Sequence, residues 1–229
     1  MLLGMASPVY EQQLNPCLNL QLIEASLRRV QHDFPWDHQG LSLSRDRMDD
    51  EVVENLLSGY ALVGELLEAK VDLFALGNSA HLLELNTRVL CGTNQQKRYE
   101  YKKHIEANNR YFYERNDAGI QDLSDWYALH SHESVWRRAA GIYICILTEP
   151  QLFIEGNDRT GSLVMSYLLA KEGHPPFVLN LSNAKAYFDS SALIKKMPRN
   201  SLSRLYRLPC LKARMAEFLK GQADANNLR

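Results

Sequence analysis

Apolar residues recur along this chain at intervals of three and four, the spacing that gathers them on one side of a helix. From about residue 47 to 70, Val52, Leu56, Val63 and Leu67 form one such stripe. "NSAHLLELNTRVLCG" follows, with Ser79 a candidate N-cap, Leu82, Leu85 and Val89 on one face, and Gly92 as the stop. Between Gln95 and Arg115, Tyr101, Ile105, Asn108 and Phe112 share a face and predict one further helix, which "NDAG" ends. The next runs from about Glu133 to Leu147 on Val135, Ala139, Ile142 and Ile146, and Pro150 keeps it from continuing. "GSLVMSYLLAKEG" is apolar on nearly every side, so its helix belongs at the centre of a bundle, and Gly173 with "HPP" closes it.

Beyond that point Pro198 and Pro209 punctuate the chain and predict two or three shorter helices. Only "PPFVLNL" hints at β-alternation, and there is neither an internal repeat nor a low-complexity linker. The expectation is a single all-α domain. Residues 1–45 form an irregular or helical lead-in, 46–190 the core, and 191–229 a basic helical extension of the same unit.

Composition adds exclusions. With 229 residues, 45% of them apolar and 23% charged, the chain suits one substantial globular domain. A formal charge of -1 offers no bulk attraction to nucleic acid or membrane. The start lacks a basic leader region and breaks at Pro8, so secretion is not expected. The longest apolar run, "AAGIYICIL", falls far short of the roughly 20 residues that a membrane span needs. Cys17, Cys91, Cys145 and Cys210 are widely spaced with no C-x-x-C pair, which argues against zinc and for buried thiols in a reducing cytoplasm.

The chemistry concentrates in "EGNDRTG", where a loop meets the apolar helix. A helix start leaves backbone N–H groups unpaired and carries about half a positive charge, which suits an anion. Gly156 permits positive φ and close backbone approach. Arg159 in the first turn has the fork to grip phosphate bidentately. Glu155 is a hard-oxygen ligand for Mg²⁺, and Asn157 either bonds a phosphate or fixes the loop.

In its wider setting, "QLFIEGNDRTG" between the helix "SHESVWRRAAGIYICIL" and the exit "EGHPPF" resembles the Fic family, or Fido fold. Its motif reads H-x-F-x-(D/E)-G-N-G-R-x-x-R between two central helices, and a looser likeness runs from about Asp49 to Asp189. The resemblance implies transfer of AMP from ATP to a protein hydroxyl, or in a minority branch of another phosphate-containing group. It places Gln151 at the catalytic histidine, Phe153 at the loop's core anchor and Glu155 at the Mg²⁺ ligand. Gly156, Asn157, Asp158, Arg159 and Ser162 then fall on the positions that hold nucleotide phosphates.

Three of these residues depart from the motif. Gln151 has no usable lone pair for a proton, so the roughly 10²–10⁴-fold that a general base supplies is missing. Asp158 stands where a glycine belongs, and its carboxylate repels phosphate unless a second metal or a cation intervenes. Ser162 replaces the second arginine, removing a charged clamp.

Elsewhere, "DEVVEN" ends in Glu54-Asn55 like the family's inhibitory helix, without its leading Ser or Thr and without the arginine partner. The region that forms a β-hairpin flap in active members reads here as helix. It interleaves Lys97, Arg98, Lys102, Lys103, Arg110 and Arg115 with tyrosines, but Glu100, Glu106 and Glu114 fall at spacings that favour ion pairs along a helix over nucleic-acid binding. Lys195, Lys196, Arg199, Arg204, Arg207, Lys212 and Arg214 form an acid-free basic run, either a polyanion-steering patch or a solvated face. His130, His132 and His174 flank the loop-bearing helices as candidate substitutes for the lost base. Two main readings stay open: a divergent transferase using Mg²⁺ and ATP, with Gln151 positioning the acceptor, and a catalytically silent module that binds a nucleotide, another phosphate-containing ligand, or a target or regulatory protein. A nucleic-acid binder is the weaker third.

Overall fold

The computed structural model describes residues 17–36, 47–115, 117, 119–197 and 202–228. Among them it is all-helical, without a named strand. The most buried element is α8 (Asn157–Lys171), in which every residue from Thr160 to Ala170 is buried. It is covered by α7 (Val135–Leu147), α2 (Asp50–Glu68) and α3 (Ser79–Cys91). The expected central helix is therefore central, and its all-round apolar surface is the reason. Small residues let its neighbours close in. A Cβ on Gly59 of α2 would lie 2.3 Å from Leu163, and one on Gly161 would lie 2.8 Å from the Tyr143 ring of α7.

Of two helices without a predicted span, the first realises the helical alternative for the lead-in and the second is unexpected. The lead-in contains a regular α1 (Leu20–Asp33), which buries Ile23, Leu27 and Val30 against α2. Asn19 caps it, accepting from the Leu22 N–H at 3.4 Å. After "NDAG", α6 (Ile120–Leu129) buries fully only Leu123, too faint a stripe to announce itself. Its real anchor is Trp126, which sits over Gly141 of α7, where a Cβ would come within 1.9 Å of the ring.

The predicted helix from 95 to 115 divides at Tyr101 into α4 (Gln95–Glu100) and α5 (Lys102–Glu114). The two pieces answer to different partners. Arg98 of α4 bonds the Gly92 carbonyl at 2.9 Å and Glu84 at 2.7 Å, while Asn108 and Phe112 of α5 are buried. At α3 the capping position is Asn78 and not Ser79, and no side chain caps it.

In the tail, α9 (Ala184–Lys195) packs on α7, and α10 (Leu202–Gly221) runs on through Pro209 and also packs on α7. Pro209 is exposed, so water can serve the carbonyl that its ring leaves unbonded. Pro198 lies outside the described residues. The "PPFVLNL" stretch is extended without a strand partner, and side chains satisfy its carbonyls. Tyr60 and Ser166 donate to Phe177 O at 2.6 and 2.8 Å, Asn183 to Val178 O at 2.9 Å, and Ser26 to Leu179 O at 2.8 Å. Two of the four thiols, Cys91 and Cys145, are buried as expected; Cys17 and Cys210 are exposed, because each sits on the outer side of its segment. No described helix is long and apolar enough to cross a membrane.

Candidate functional site

The loop between α7 and α8 is held by carboxamides. Gly156 takes the left-handed conformation (φ 76°) that lets the chain turn into α8, and a Cβ there would sit 3.0 Å from Asn86 Nδ2. Asn86 donates to Glu155 O at 2.9 Å and to Thr160 Oγ1 at 3.0 Å, and accepts from Asn108 at 2.8 Å. Asn108 in turn accepts the Ile154 N–H at 2.9 Å. Asn157 closes the loop from inside: its oxygen accepts the Phe153 N–H at 2.9 Å, and its nitrogen donates to Phe153 O at 2.8 Å and to Gln151 Oε1 at 3.0 Å. Phe153, 1% exposed, stacks on Phe112 with ring centroids 5.4 Å apart and anchors the loop in the core.

Both of the Asn157 amide hydrogens are thus engaged, so it is the loop-fixing alternative that the geometry realises. Gln151 is likewise committed. Its side-chain oxygen takes the Asn157 amide, its nitrogen donates to Leu147 O at 3.3 Å, and its backbone carbonyl accepts from Arg115 at 2.7 Å and Tyr111 at 3.2 Å. It borders the cavity as a brace of the loop.

That cavity, of about 520 Å³, opens at the first turn of α8. Gln151, Glu155, Gly156, Asn157, Asp158, Arg159 and Ser162 line it together with five aromatic residues, Trp36, Tyr60, Phe177, Tyr187 and Phe188. A few polar groups converging in a cleft with apolar and aromatic walls are usual for small-molecule sites. The N-cap of α8 is Gly156, which has no side chain with which to cap the first turn.

The two charged residues of that turn behave differently. Asp158 is drawn into a cluster: Lys195 and Ser191 of α9 both donate to its carboxylate, Tyr143 of α7 does so at 3.3 Å, and Tyr187 bonds its carbonyl at 2.9 Å. The cation needed to offset this carboxylate is therefore Lys195. Burial pushes the Tyr143 hydroxyl well above its ordinary range, so it stays a neutral donor here. Arg159 donates to Val89 O at 2.8 Å and makes no ion pair among the described residues. Burial lowers its pKa, with the charges of Glu155, Asp158 and Asp49 acting in the opposite direction. Ser162 is buried and spends its hydroxyl on Arg159 O at 2.8 Å, so it brings no charge to the cavity.

Glu155 is exposed, and its carboxylate lies 3.7 Å from Nε2 of His104 on α5. No group of three metal-ligating side chains exists among the described residues. The second carboxylate of the loop, Asp158, is already bound to Lys195.

The remaining candidates are scattered. Glu54 is exposed and does not line the cavity, whereas its helix does through Val52 and Leu56. His130 bonds Trp126 O at 2.8 Å and stacks on that ring, His174 packs on Trp136 at 4.8 Å, and His132 is exposed. None of the three lines the cavity. The basic residues of the 93–119 segment are largely occupied. Lys97 pairs with Glu51 at 2.9 Å, Arg98 with Glu84, and among the described residues of the segment only Lys102–Glu106, at 3.8 Å, is a pair within one helix. The basic run of the tail is no single face either: Lys195 serves Asp158, and Lys212 is buried against Glu133 at 2.8 Å. Arg199 lies outside the described residues.

Sequence reasoning did not single out Asn86, Ser191, Tyr143 or Tyr187, and it read Asn108 only as one more residue on a buried stripe. An asparagine amid apolar positions, such as Asn86 in "LLELNTRVL", was the one signal available. A comparison with family models, curated proteins and solved structures returned no match to the chain.

Proposed function

We propose that the chain is a Fic-like domain that binds a phosphate-bearing ligand, a nucleotide foremost, in the cavity at the start of α8, and lacks the family's proton acceptor. The observation that carries this reading is Arg159. It is a half-buried guanidinium lining an aromatic-walled cavity, with one backbone hydrogen bond and no carboxylate partner among the described residues. A buried charge without a counter-ion is costly, and an incoming oxyanion at the glycine-capped start of α8 supplies that counter-ion. The aromatic wall suits the base of a nucleotide. Against transfer stands the engagement of Gln151 with Asn157 and Leu147, together with the lack of any histidine in the cavity lining among the described residues. Glu155 fits the role of contacting a Mg²⁺ carried in by the ligand.

Calorimetry with ATP, ADP and AMP, with and without Mg²⁺, tests the reading. Saturable binding is expected, and Arg159→Ala should weaken it about 10-fold or more, the value of a charge-assisted hydrogen bond. No binding at millimolar ligand, or binding indifferent to Arg159→Ala, sinks it. Labelled ATP should leave no covalent label on the wild-type chain or on lysate proteins. Labelling by the wild type would restore the AMP-transfer reading, with Gln151 or another residue acting in place of histidine.

A further inference from the structure

Ser162, one turn into α8, spends its hydroxyl on the Arg159 carbonyl and brings no charge to the cavity. The end of α9 nevertheless brings a second cation to the cavity lining. Lys195 lines it, keeps 31% of its side chain exposed, and reaches Asp158 in the first turn of α8. Arg159, the neighbour of Asp158 on that turn, lines the same cavity.

We propose that Lys195 is a ligand-binding residue, the second phosphate clamp of this cavity, and that the site is therefore built for a ligand with two adjacent phosphoryl groups. The proposal rests on the anion-site reading of Arg159 given above. In the unliganded chain Asp158 acts as a placeholder. Its carboxylate occupies the lysine, and Ser191 and Tyr143 hold that carboxylate in place. An incoming phosphoryl oxygen competes with Asp158 for the ammonium group, which has three hydrogens to share between them. Lysine suits this task because its flexible stem can swing between two acceptors, whereas the rigid fork of arginine commits to one. Arg159 takes one phosphoryl group and Lys195 the next. Both cations line the one cavity, so a polyanion gains from the ammonium group that Asp158 releases.

The test compares pyrophosphate and orthophosphate binding to the full chain by calorimetry. Lys195→Met should weaken pyrophosphate about 10-fold and orthophosphate by no more than about twofold, a charge-assisted contact being lost only from the former. Asp158→Asn should act in the opposite direction, tightening pyrophosphate several-fold, because the competitor for the ammonium group is gone. Lys195→Arg should recover only part of the affinity, because its rigid fork stays with Asp158. Ser191→Ala frees one side of the same carboxylate without changing charge, and should leave pyrophosphate affinity within about twofold, the loss of a neutral bond to Asp158 rather than to the ligand. A thermal melt of each variant reports whether it is folded.

If the cluster is only a structural strut, Lys195→Met, Asp158→Asn and Ser191→Ala will all shift binding the same way, and the proposal falls. Equal losses for pyrophosphate and orthophosphate in Lys195→Met overturn it too. Binding that Arg159→Ala weakens while Lys195→Met leaves it unchanged overturns this inference alone. No binding of either anion by the wild type overturns it together with the function proposed above.

Discussion

The two flanks of the α8 entrance are built from different chemistry. On the side of α3 and α5, neutral carboxamides hold the loop: Asn86, Asn108, Asn157 and Gln151 bond one another and the backbone of residues 153–155. On the side of α9, the charges of Asp158 and Lys195 meet, while Arg159, on the same turn of α8, lines the cavity and reaches back to the Val89 carbonyl of α3. A carboxamide cannot titrate, and once its donors and acceptors are matched in a buried network it has no reason to let go. A charge pair at a cavity edge can exchange one partner for another at little cost, since water and ligand both compete for it. The amide flank is suited to fixing backbone geometry, and the charged flank to receiving a ligand.

The largest effect should come from Asn157→Ala. It removes three hydrogen bonds and strands the buried Phe153 N–H, so a loss of about 2–3 kcal/mol is expected in urea unfolding. A loss below about 0.5 kcal/mol, within the range of an ordinary surface substitution, would mean that the amides do not hold the loop. Gly156→Ala should cost about 1–3 kcal/mol, because it combines positive φ with a Cβ pressed on the Asn86 amide. It also asks whether the anion loop tolerates any other backbone.

On the charged flank, Lys195→Met should cost only about 1 kcal/mol of stability, between the values for exposed and buried pairs, because Ser191 and Tyr143 still serve Asp158. Should it destabilise as much as Asn157→Ala, the two flanks would be alike in kind and the contrast would fail.

Acid sharpens the same contrast at the smallest scale. Burial raises the Glu84 carboxyl, but hydrogen bonds from Arg98 and Arg88 outweigh it and hold its pKa below the ordinary value of 4.5. Glu133 is likewise raised by burial and lowered further by Lys212 and Arg137. A carboxyl with a depressed folded pKa contributes stability above its unfolded value and loses it as pH falls through the folded one. Urea midpoints should therefore hold steady down to about pH 5 and decline below about pH 4.5, while the carboxamide loop, having nothing to protonate, contributes no slope. Lys212→Met should flatten part of that decline. A midpoint that rises on acidification would contradict the assignment.

Much of the architecture was legible because helical periodicity is a local property. The stripes of α2, α3 and α7 and the all-round apolar surface of α8 lie in short windows of sequence. The α1 stripe of Ile23, Leu27 and Val30 was equally regular, but it follows a start rich in polar residues and proline. For α6 the signal was weak in substance: its main contact is one tryptophan laid over a glycine of another helix, which no window along α6 contains. The break at Tyr101 escaped notice for a related reason, since Arg98 and Asn108 pull the two halves toward different partners.

For the site, the glycine, the arginine and the position of the loop could be placed from the sequence, because a left-handed turn into an apolar helix has a compositional signature. The partner of Asp158 could not. Lys195 stands 37 residues away, in a basic run that reads as solvated surface until α9 is packed against α7. What the sequence determined alone was an all-helical chain with its most apolar helix at the centre and a glycine loop at that helix's start. The tertiary structure decided which polar groups of that loop are consumed and which still face the cavity. Gln151 and Asn157 are consumed by each other, and Asn86, reaching across 69 residues to Glu155, holds the backbone between them. Arg159 is left facing the cavity. The reason is physical: a preference for helix or turn is set by neighbours in the chain, whereas the saturation of a hydrogen-bonding group is set by whatever folding brings within about 3 Å of it.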